Sequence, residues 1–358
     1  MSKQNELVEL SRVYNTSALS NRNIIINGAA VLDQRNSGSS VTASTGTYTL
    51  DRWRSYNSTD GAFTVQQVSD SPDDFSYSIK VTATTADSSL ASGQQAKVQQ
   101  KIEGYNVASF ALGSSGAKSF TLSFYVKSSV TGTYAVGFIN SANNRSFVSS
   151  YTINSANTWE YKTITLDGDT TGTWLTTNGV GLNIQWSLGM GSDWEGTSGS
   201  WQTGEKSDAS GFTKLIGTLN ATWQITGVQL ELGNAATPFE HRSYGDELAR
   251  CQRYYIKHVT NSINGQIVMH QDRGGANYFG ELNWMQEMRV APTVTGTGMD
   301  RVHKPGIIYD TISTGPNFYQ ASVNGMYILA VSTNTHATSS TAFLGASSGG
   351  SINIDAEL

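Results

Sequence analysis

The sequence has one cysteine, Cys251, and only five prolines. A lone thiol excludes an internal disulfide and every cysteine-rich zinc site. Charge is equally scarce: 23 Lys and Arg with 28 Asp and Glu make 14% of 358 residues, against about 25% in an ordinary globular chain. The net charge is -5 and the pI about 5.5, without a basic cluster. Nucleic acid, whose capture rests on neutralising phosphates, is therefore not an expected partner. No apolar run approaches the ~18–20 residues that cross a bilayer, so membrane insertion is not expected either. Residues 1–10 are polar and acidic, unlike a signal peptide, and export through a visible signal is not expected.

What the chain has in quantity is hydroxyls and rings: 84 Ser and Thr, 36 Gly, and 8 Trp, 16 Tyr and 12 Phe. A disordered chain combines few aromatics with high net charge, so this one is expected to fold. Its length suggests about two domains. From Asn23 onward the dominant period is two, the pattern of half-buried strands. Tyr77, Ile79, Val81 and Ala83 alternate with polar residues, as do Ala96, Val98 and Ile102. Phe120, Leu122, Phe124 and Val126 form the strongest stripe, followed by Tyr134, Val136 and Phe138, and then by Val180, Leu182, Ile184, Trp186 and Leu188. Gly, Ser, Asn and Asp cluster between the stripes as turn material. A last strand near Trp223–Leu232 changes parity at Gly227, which predicts a β-bulge there. Roughly eight to ten short strands without an intervening helical period predict an all-β fold, an antiparallel jelly-roll sandwich.

Two stretches break the period. Leu7, Leu10 and Tyr14 recur at spacings of three and four, which reads either as a frayed terminus or as an arm docking on a partner or a neighbouring subunit. In Ser243–Tyr255, the residues Tyr244, Leu248, Cys251 and Tyr255 make one apolar stripe, with acids early and arginines late, as a short helix requires. The exposed flank of that stripe fits an oligomer axis as well as it fits packing at the domain junction. The expected organisation is an N-terminal anchoring arm over 1–22, a jelly-roll sandwich over 23–243, and a junction helix with a smaller C-terminal β-domain over 244–358.

Catalytic signatures are missing. All five histidines lie at His241 or beyond, and neither a Gly-x-Ser-x-Gly elbow, a His-Glu-x-x-His pair nor an EF-hand loop occurs. No enzyme, no cofactor and no metal is expected. Cys251 on the apolar stripe reads as a small buried hydrophobe. The acids Asp73, Asp74, Asp167 and Asp169 read as turn carboxylates, with a structural calcium as the alternative. His241 beside Glu240 reads as junction packing, and Asp51, between Arg52 and Arg54, as part of a local ion-pair and hydrogen-bond set around Trp53. Aromatics in loops offer more. Trp194 and Trp201 sit in a Gly- and Ser-rich stretch, and Trp174 in a similar setting. Indole faces stack on the C–H faces of sugars while nearby amides bond sugar hydroxyls. The same three rings could instead fold back to cover the end of the sandwich.

Three stretches taken together resemble one family. Asn23–Gly28, then Asp33-Gln34-Arg35 and Tyr48–Trp53, are similar to the opening of jelly-roll domains in bacteriophage tail-fibre and related virion proteins. Trp223–Gly233, continuing through Ala236–Arg242 and Cys251–Tyr255, resembles the closing strand and exit helix of that domain. Met288–Thr293 and the ending Ile354–Leu358 resemble the small β-domain that often follows. The family's sandwich is similar to carbohydrate-binding modules. The resemblance implies a virion structural protein made in the host cytoplasm, a tail-fibre or adhesin subunit for receptor binding and host attachment. It further implies a homotrimer, other virion proteins as partners through the arm, and host surface carbohydrate as ligand. A head-decoration or head-fibre protein docked on the capsid is the alternative. A polysaccharide depolymerase is a third reading, and would need paired carboxylates in a groove. No fixed binding motif transfers with the resemblance.

Overall fold

The structure, a computed structural model, describes residues 21–260, 267–271, 276–304, 307–333, 341–345 and 350–358. Leu7, Leu10 and Tyr14 lie outside the described residues. The chain divides into two compact units between Glu247 and Leu248. The first is an antiparallel β-sandwich. One sheet orders β1 (Val41–Thr42), β4 (Ala62–Val68), β5 (Ser78–Thr85), β13 (Thr222–Leu232), β7 (Phe120–Ser128) and β10 (Glu160–Leu166). The other orders β12 (Trp201–Thr203), β9 (Arg145–Ile153), β8 (Gly132–Ile139), β11 (Val180–Met190), β6 (Gln95–Glu103), β3 (Trp53–Asn57) and β2 (Thr47–Leu50).

The inward parities predicted from the period-two stripes meet between these sheets. Phe120, Leu122, Phe124 and Val126 from one sheet face Val136, Phe138, Ile184 and Trp186 from the other, all fully buried. Trp186 lies 5.5 Å from Trp53 and meets Phe124 edge-on at 6.0 Å. Buried indoles need partners for their N–H groups: Trp223 donates to Tyr151 Oη at 3.0 Å, and Trp53 to the Asn27 carbonyl at 2.9 Å.

The stretches that carry the family resemblance come together in space. Asn23 Nδ2 donates to the Val228 carbonyl while its Oδ1 accepts from the amides of Ile25 and Leu230. Asn27 bonds the backbone of Leu32 and Asp51, and its own amide donates to Glu247. Arg242 donates to the Ile25 carbonyl at 2.9 Å and pairs with Glu247 at 3.2 Å. The residues after the closing strand thus seal the entry segment against the sandwich. Asp51 accepts from the backbone amide and the side-chain amide of Gln34, both at 2.6 Å.

The second unit carries a three-stranded sheet, β14 (Tyr255–Thr260), β22 (Gly350–Asp355) and β17 (Thr293–Thr297). Beside it a closed barrel orders β15 (Ile267–Gln271), β16 (Asn277–Asn283), β20 (Gly325–Ser332), β19 (Ile307–Tyr319), β18 (Arg301–Lys304) and β21 (Thr341–Gly345). Met269, Tyr278, Val302, Ile328 and Leu344 are among its buried core. The junction helix runs Tyr244–Gln252, with Ser243 Oγ accepting the Asp246 amide at its start. One expectation needs correction here. Tyr255 is not on the helix: the chain turns at Arg253–Tyr254, and Tyr255 opens β14 opposite Asp355.

The parity change in β13 is a bulge, with the register against β7 shifting between Thr226 and Gln229. Gly227 sits there at φ +60°, and a Cβ would come within 2.7 Å of the Phe75 ring. Phe75 in turn packs on Tyr125, Phe239 and His241 at 5.1–5.5 Å. Both the left-handed backbone and the ring cluster therefore require glycine. Gly227→Ala is expected to destabilise the sandwich by about 1–3 kcal/mol, the usual cost of a strained backbone position. Urea denaturation reads this as a lower midpoint with unchanged slope, and an unchanged midpoint would refute it.

Candidate functional site

Strand geometry sends successive side chains to opposite faces. In β6 the inward parity is Ala96, Val98, Gln100 and Ile102, and the outward parity is Gln95, Lys97, Gln99 and Lys101. The inward Gln100 is satisfied by accepting from the Ile26 amide and donating to the Ile26 carbonyl. In β11 the outward residues are Asn183, Gln185 and Ser187. Register aligns them: Tyr56 faces Lys97, which faces Ser187; Arg54 faces Gln99, which faces Gln185; Lys101 faces Asn183. The outer face of the seven-stranded sheet therefore carries a grid of amides and cations.

Part of this face is covered. The segment between β11 and β13 folds back over β8 and β9. The Gly199 amide donates to the Val148 carbonyl at 2.8 Å, and the Lys206 amide to Ser146 Oγ at 3.1 Å. Ser207 lies over Gly137, where a Cβ would come within 2.8 Å of it. A buried set holds this segment down. Asp208 accepts from Ser187 Oγ at 2.7 Å and from Lys214 Nζ at 2.9 Å, while Lys214 also reaches Glu195 and the Met190 carbonyl. Burial pushes the Asp208 carboxyl up despite the lysine. Open between this wall and β3 is a groove of about 310 Å³ lined by Arg54, Tyr56, Lys97, Gln99, Asn183 and Trp194, among others.

Lys97 stands at its centre. Its Nζ donates to Gln185 Oε1 at 2.8 Å and pairs with Glu205 at 3.3 Å, with the Tyr56 ring at 5.3 Å and the Trp194 ring at 5.7 Å. Burial lowers its pKa to about 8; Glu205 pulls the other way and loses. Gln185 is fully engaged, donating to Glu205 at 3.2 Å and accepting from Ser207 Oγ at 2.8 Å. Its neighbours are not. Gln95 Oε1, Gln99 Nε2 and Asn183 Oδ1 are buried without a hydrogen-bond partner among the described residues. Such atoms cost about 1–3 kcal/mol each unless something bonds them. The arrangement suits a polar ligand with both donors and acceptors, held between two aromatic rings.

The residues singled out from sequence fall in different places. Trp194 borders the groove, its Nε1 donating to the Gly93 carbonyl at 3.0 Å. Trp174 does not: it is only 8% exposed and presents no open ring face for a sugar. Trp201 is half-buried and meets Trp174 edge-on at 5.4 Å and Phe147 at 5.3 Å, covering the sandwich. Long-range packing, which composition does not reveal, separates these three indoles. Tyr244, Leu248, Cys251 and Tyr255 do not form one exposed face either. Tyr244 is 65% exposed, Leu248 half-buried, Cys251 fully buried and Tyr255 5% exposed, so most of the stripe is already covered within the chain. Asp169 is held by Arg145 through two bonds of 2.7 and 2.8 Å. The residues missed from sequence are Arg54, Tyr56, Lys97, Gln99, Asn183 and Gln185. For Lys97, Gln99, Asn183 and Gln185 the signal was the outward parity of the same stripes whose inward parity predicted the core; Arg54 and Tyr56 lie on a strand outside those stripes.

Lys97 gives the groove a pH signature. Below about pH 8 the ammonium is charged in folded and unfolded chains alike, and its burial lowers stability. As pH climbs from about 8 toward 10.5, the folded chain releases a proton the unfolded chain retains, so stability rises. The difference in unfolding free energy between wild type and Lys97→Met should therefore be flat near neutrality and move in favour of wild type across that window. Urea titrations measure it, and a flat difference throughout would mean that Lys97 is solvated.

No family model matches the sequence, and no curated protein matches it. Among solved structures, the enzymatically active domain of tailspike protein 4 of bacteriophage CBA120 is similar at 16% identity and TM-score 0.31, covering 59% of this chain. This chain spans 21% of that one. The family 11 carbohydrate-binding module of a Clostridium thermocellum cellulosomal cellulase is similar at 13% identity and TM-score 0.27, covering 58% of this chain and 100% of its own. The tandem CBM22 domains of Paenibacillus barcinonensis Xyn10C reach 9% identity and TM-score 0.28 over 91% of this chain and 100% of theirs.

Proposed function

We propose that the protein is a non-enzymatic subunit of a phage virion, a tail-fibre or adhesin component whose β-sandwich holds host surface glycan in the groove over β3, β6 and β11. The observation that carries the glycan reading is the set of three buried, unpaired amide atoms at Gln95, Gln99 and Asn183, flanked by Tyr56 and Trp194. A pyranose supplies what these groups lack: hydroxyls that both donate and accept, and a C–H face for an aromatic ring. Hydrolysis of a glycosidic bond ordinarily needs two carboxyl groups about 5–5.5 or 6.5–9.5 Å apart. Glu205 is the one carboxylate lining the groove, and it is engaged by Lys97 and Gln185. The virion setting and the trimer rest on the sequence resemblance, and the anchoring arm on the spacing of Leu7, Leu10 and Tyr14.

Trp194→Ala is expected to weaken retention on host surface polysaccharide about three- to tenfold, the worth of one aromatic contact. Trp201→Ala should leave retention unchanged. Affinity electrophoresis of both variants checks this, and equal retention of wild type and Trp194→Ala would refute the groove. Release of reducing ends from host capsule or lipopolysaccharide would overturn the non-enzymatic reading. Immunogold labelling of the particle tests the tail placement, and label on the head would move the protein to capsid decoration.

A further inference from the structure

A second concavity lies on the outer face of the six-stranded sheet. Tyr125 of β7 and Tyr161 of β10 are register partners on the outward parity, and their rings lie 4.9 Å apart. Phe75, from the loop between β4 and β5, packs on Tyr125 at 5.5 Å and on Phe239 at 5.1 Å. His241 completes the row, 4.9 Å from Phe239 and 5.3 Å from Phe75. The bulge at Gly227 makes room for these rings: a Cβ there would come within 2.7 Å of Phe75 and 3.1 Å of Tyr125. Together the five rings line an open pocket of about 720 Å³, all of it within the first unit.

The charge around this pocket is one-sided. Among the described residues its lining holds no lysine or arginine and one carboxylate, that of Asp74. Asp74 is exposed, and neither a hydrogen bond nor an ion pair engages its carboxylate among the described residues. The cations nearby are committed elsewhere. Arg22 donates to Thr237 Oγ1 and to the Pro238 carbonyl, Arg242 pairs with Glu240 and Glu247, and Lys162 pairs with Glu160. Several other rings of the sandwich already carry a cation of the chain itself. Arg35 stands over Tyr48 at 5.1 Å, Lys97 over Tyr56 at 5.3 Å and Lys127 over Trp159 at 5.1 Å. Among the described residues no lysine or arginine stands over the rings of the pocket.

We infer that this pocket binds an organic ammonium ion, with its C–H groups against the rings of Tyr125, Tyr161 and Phe239 and its charge balanced by Asp74. The face of an aromatic ring is negative, so it attracts a cation on an apolar body more strongly than a neutral body of the same shape. A carboxylate without a counter-ion beside such rings adds to that attraction. The site is separate from the groove over β3, β6 and β11 and does not rest on the glycan reading. A choline group and an amino sugar are two carriers of the same chemistry.

Titrations of the full chain, followed by ligand-observed NMR, compare choline with neohexyl alcohol, its uncharged isostere, and the ammonium form of glucosamine with glucose. At least one ammonium ligand is expected to bind about tenfold tighter than its neutral counterpart, the scale of a desolvated cation–π contact. The pair that shows the difference names the carrier. Tyr161 is 46% exposed, so Tyr161→Leu keeps an apolar wall without a core change, and it should bring the ratio close to one. Asp74→Asn retains a residue suited to the left-handed φ of +72°. It should weaken the ammonium ligand about threefold, as an exposed charge contact would, and leave the neutral one unchanged. Trp194→Ala should alter neither, and loss of ammonium binding in that variant would move the ligand to the groove and overturn the inference. Equal affinity within both pairs, a ratio that survives Tyr161→Leu, or no binding of either ammonium ligand would overturn it as well, each leaving the glycan groove standing.

Discussion

The antiparallel pairing of β6 with β11 lies inside the seven-stranded sheet and loads both faces of one backbone. Its inward residues, Ala96, Val98, Ile102, Leu182, Ile184 and Trp186, pack against the opposite sheet, and its outward residues form the floor of the groove. Because side chains alternate with a period of two, a slip of one residue would exchange the two sets. The apolar burial that stabilises the domain therefore also fixes which amide stands beside which cation. Gln99 cannot move away from Arg54 without dragging Val98 and Gln100 out of the core. The groove is held by the same register that makes the sandwich, which is why its polar groups can remain unpaired without rearranging to satisfy one another.

This double use explains which parts were legible in the sequence. The inward parity was readable because apolar residues at alternate positions have few explanations other than burial. The bulge at Gly227 was readable for the same reason: Trp223 and Ile225 fall on one parity and Val228 and Leu230 on the other, and all four are buried. The outward parity was not, since Gln, Lys and Asn facing outward on a strand ordinarily mean solvent. Only the covering segment, with Ser207 over Gly137 and Asp208 on Ser187, turns that face into a buried floor. Those contacts join residues far outside any local period and leave no periodic trace. Tyr255 failed in the opposite sense. Its spacing from Cys251 continues the helical stripe, but pairing with β22 decides its conformation, and a strand partner at Asp355 outweighs a local period.

The scarcity of charge acquires a structural meaning from where the ions sit. Arg145 pairs with Asp169, which is 2% exposed, and so ties the loop before Trp174 to β9. Lys214 and Asp208 pin the wall of the groove, and Arg242 with Glu247 closes the entry segment. Exposed ion pairs contribute little and weaken with salt, whereas buried ones are costly to break once formed. Ions used in this way act as local fasteners for loops, in a chain that has no disulfide to do the same.

Few charges on the remaining surface also sharpen what the groove can discriminate. Where a surface bristles with ions, one more cation in a cleft changes the local potential little. Here the sandwich presents mainly hydroxyls and amides, so a charge lining a cleft is a distinct electrostatic feature against a quiet background. A site that keeps buried polar groups unpaired is selective by the same logic: a ligand lacking the complementary group leaves the desolvation cost in place, while the matching ligand removes it. On the proposed reading, the unpaired Gln95, Gln99 and Asn183 atoms would set the hydroxyl pattern that fits. Under that proposal, affinity and selectivity would both arise from one strand pair, whose outward residues can change without touching the core.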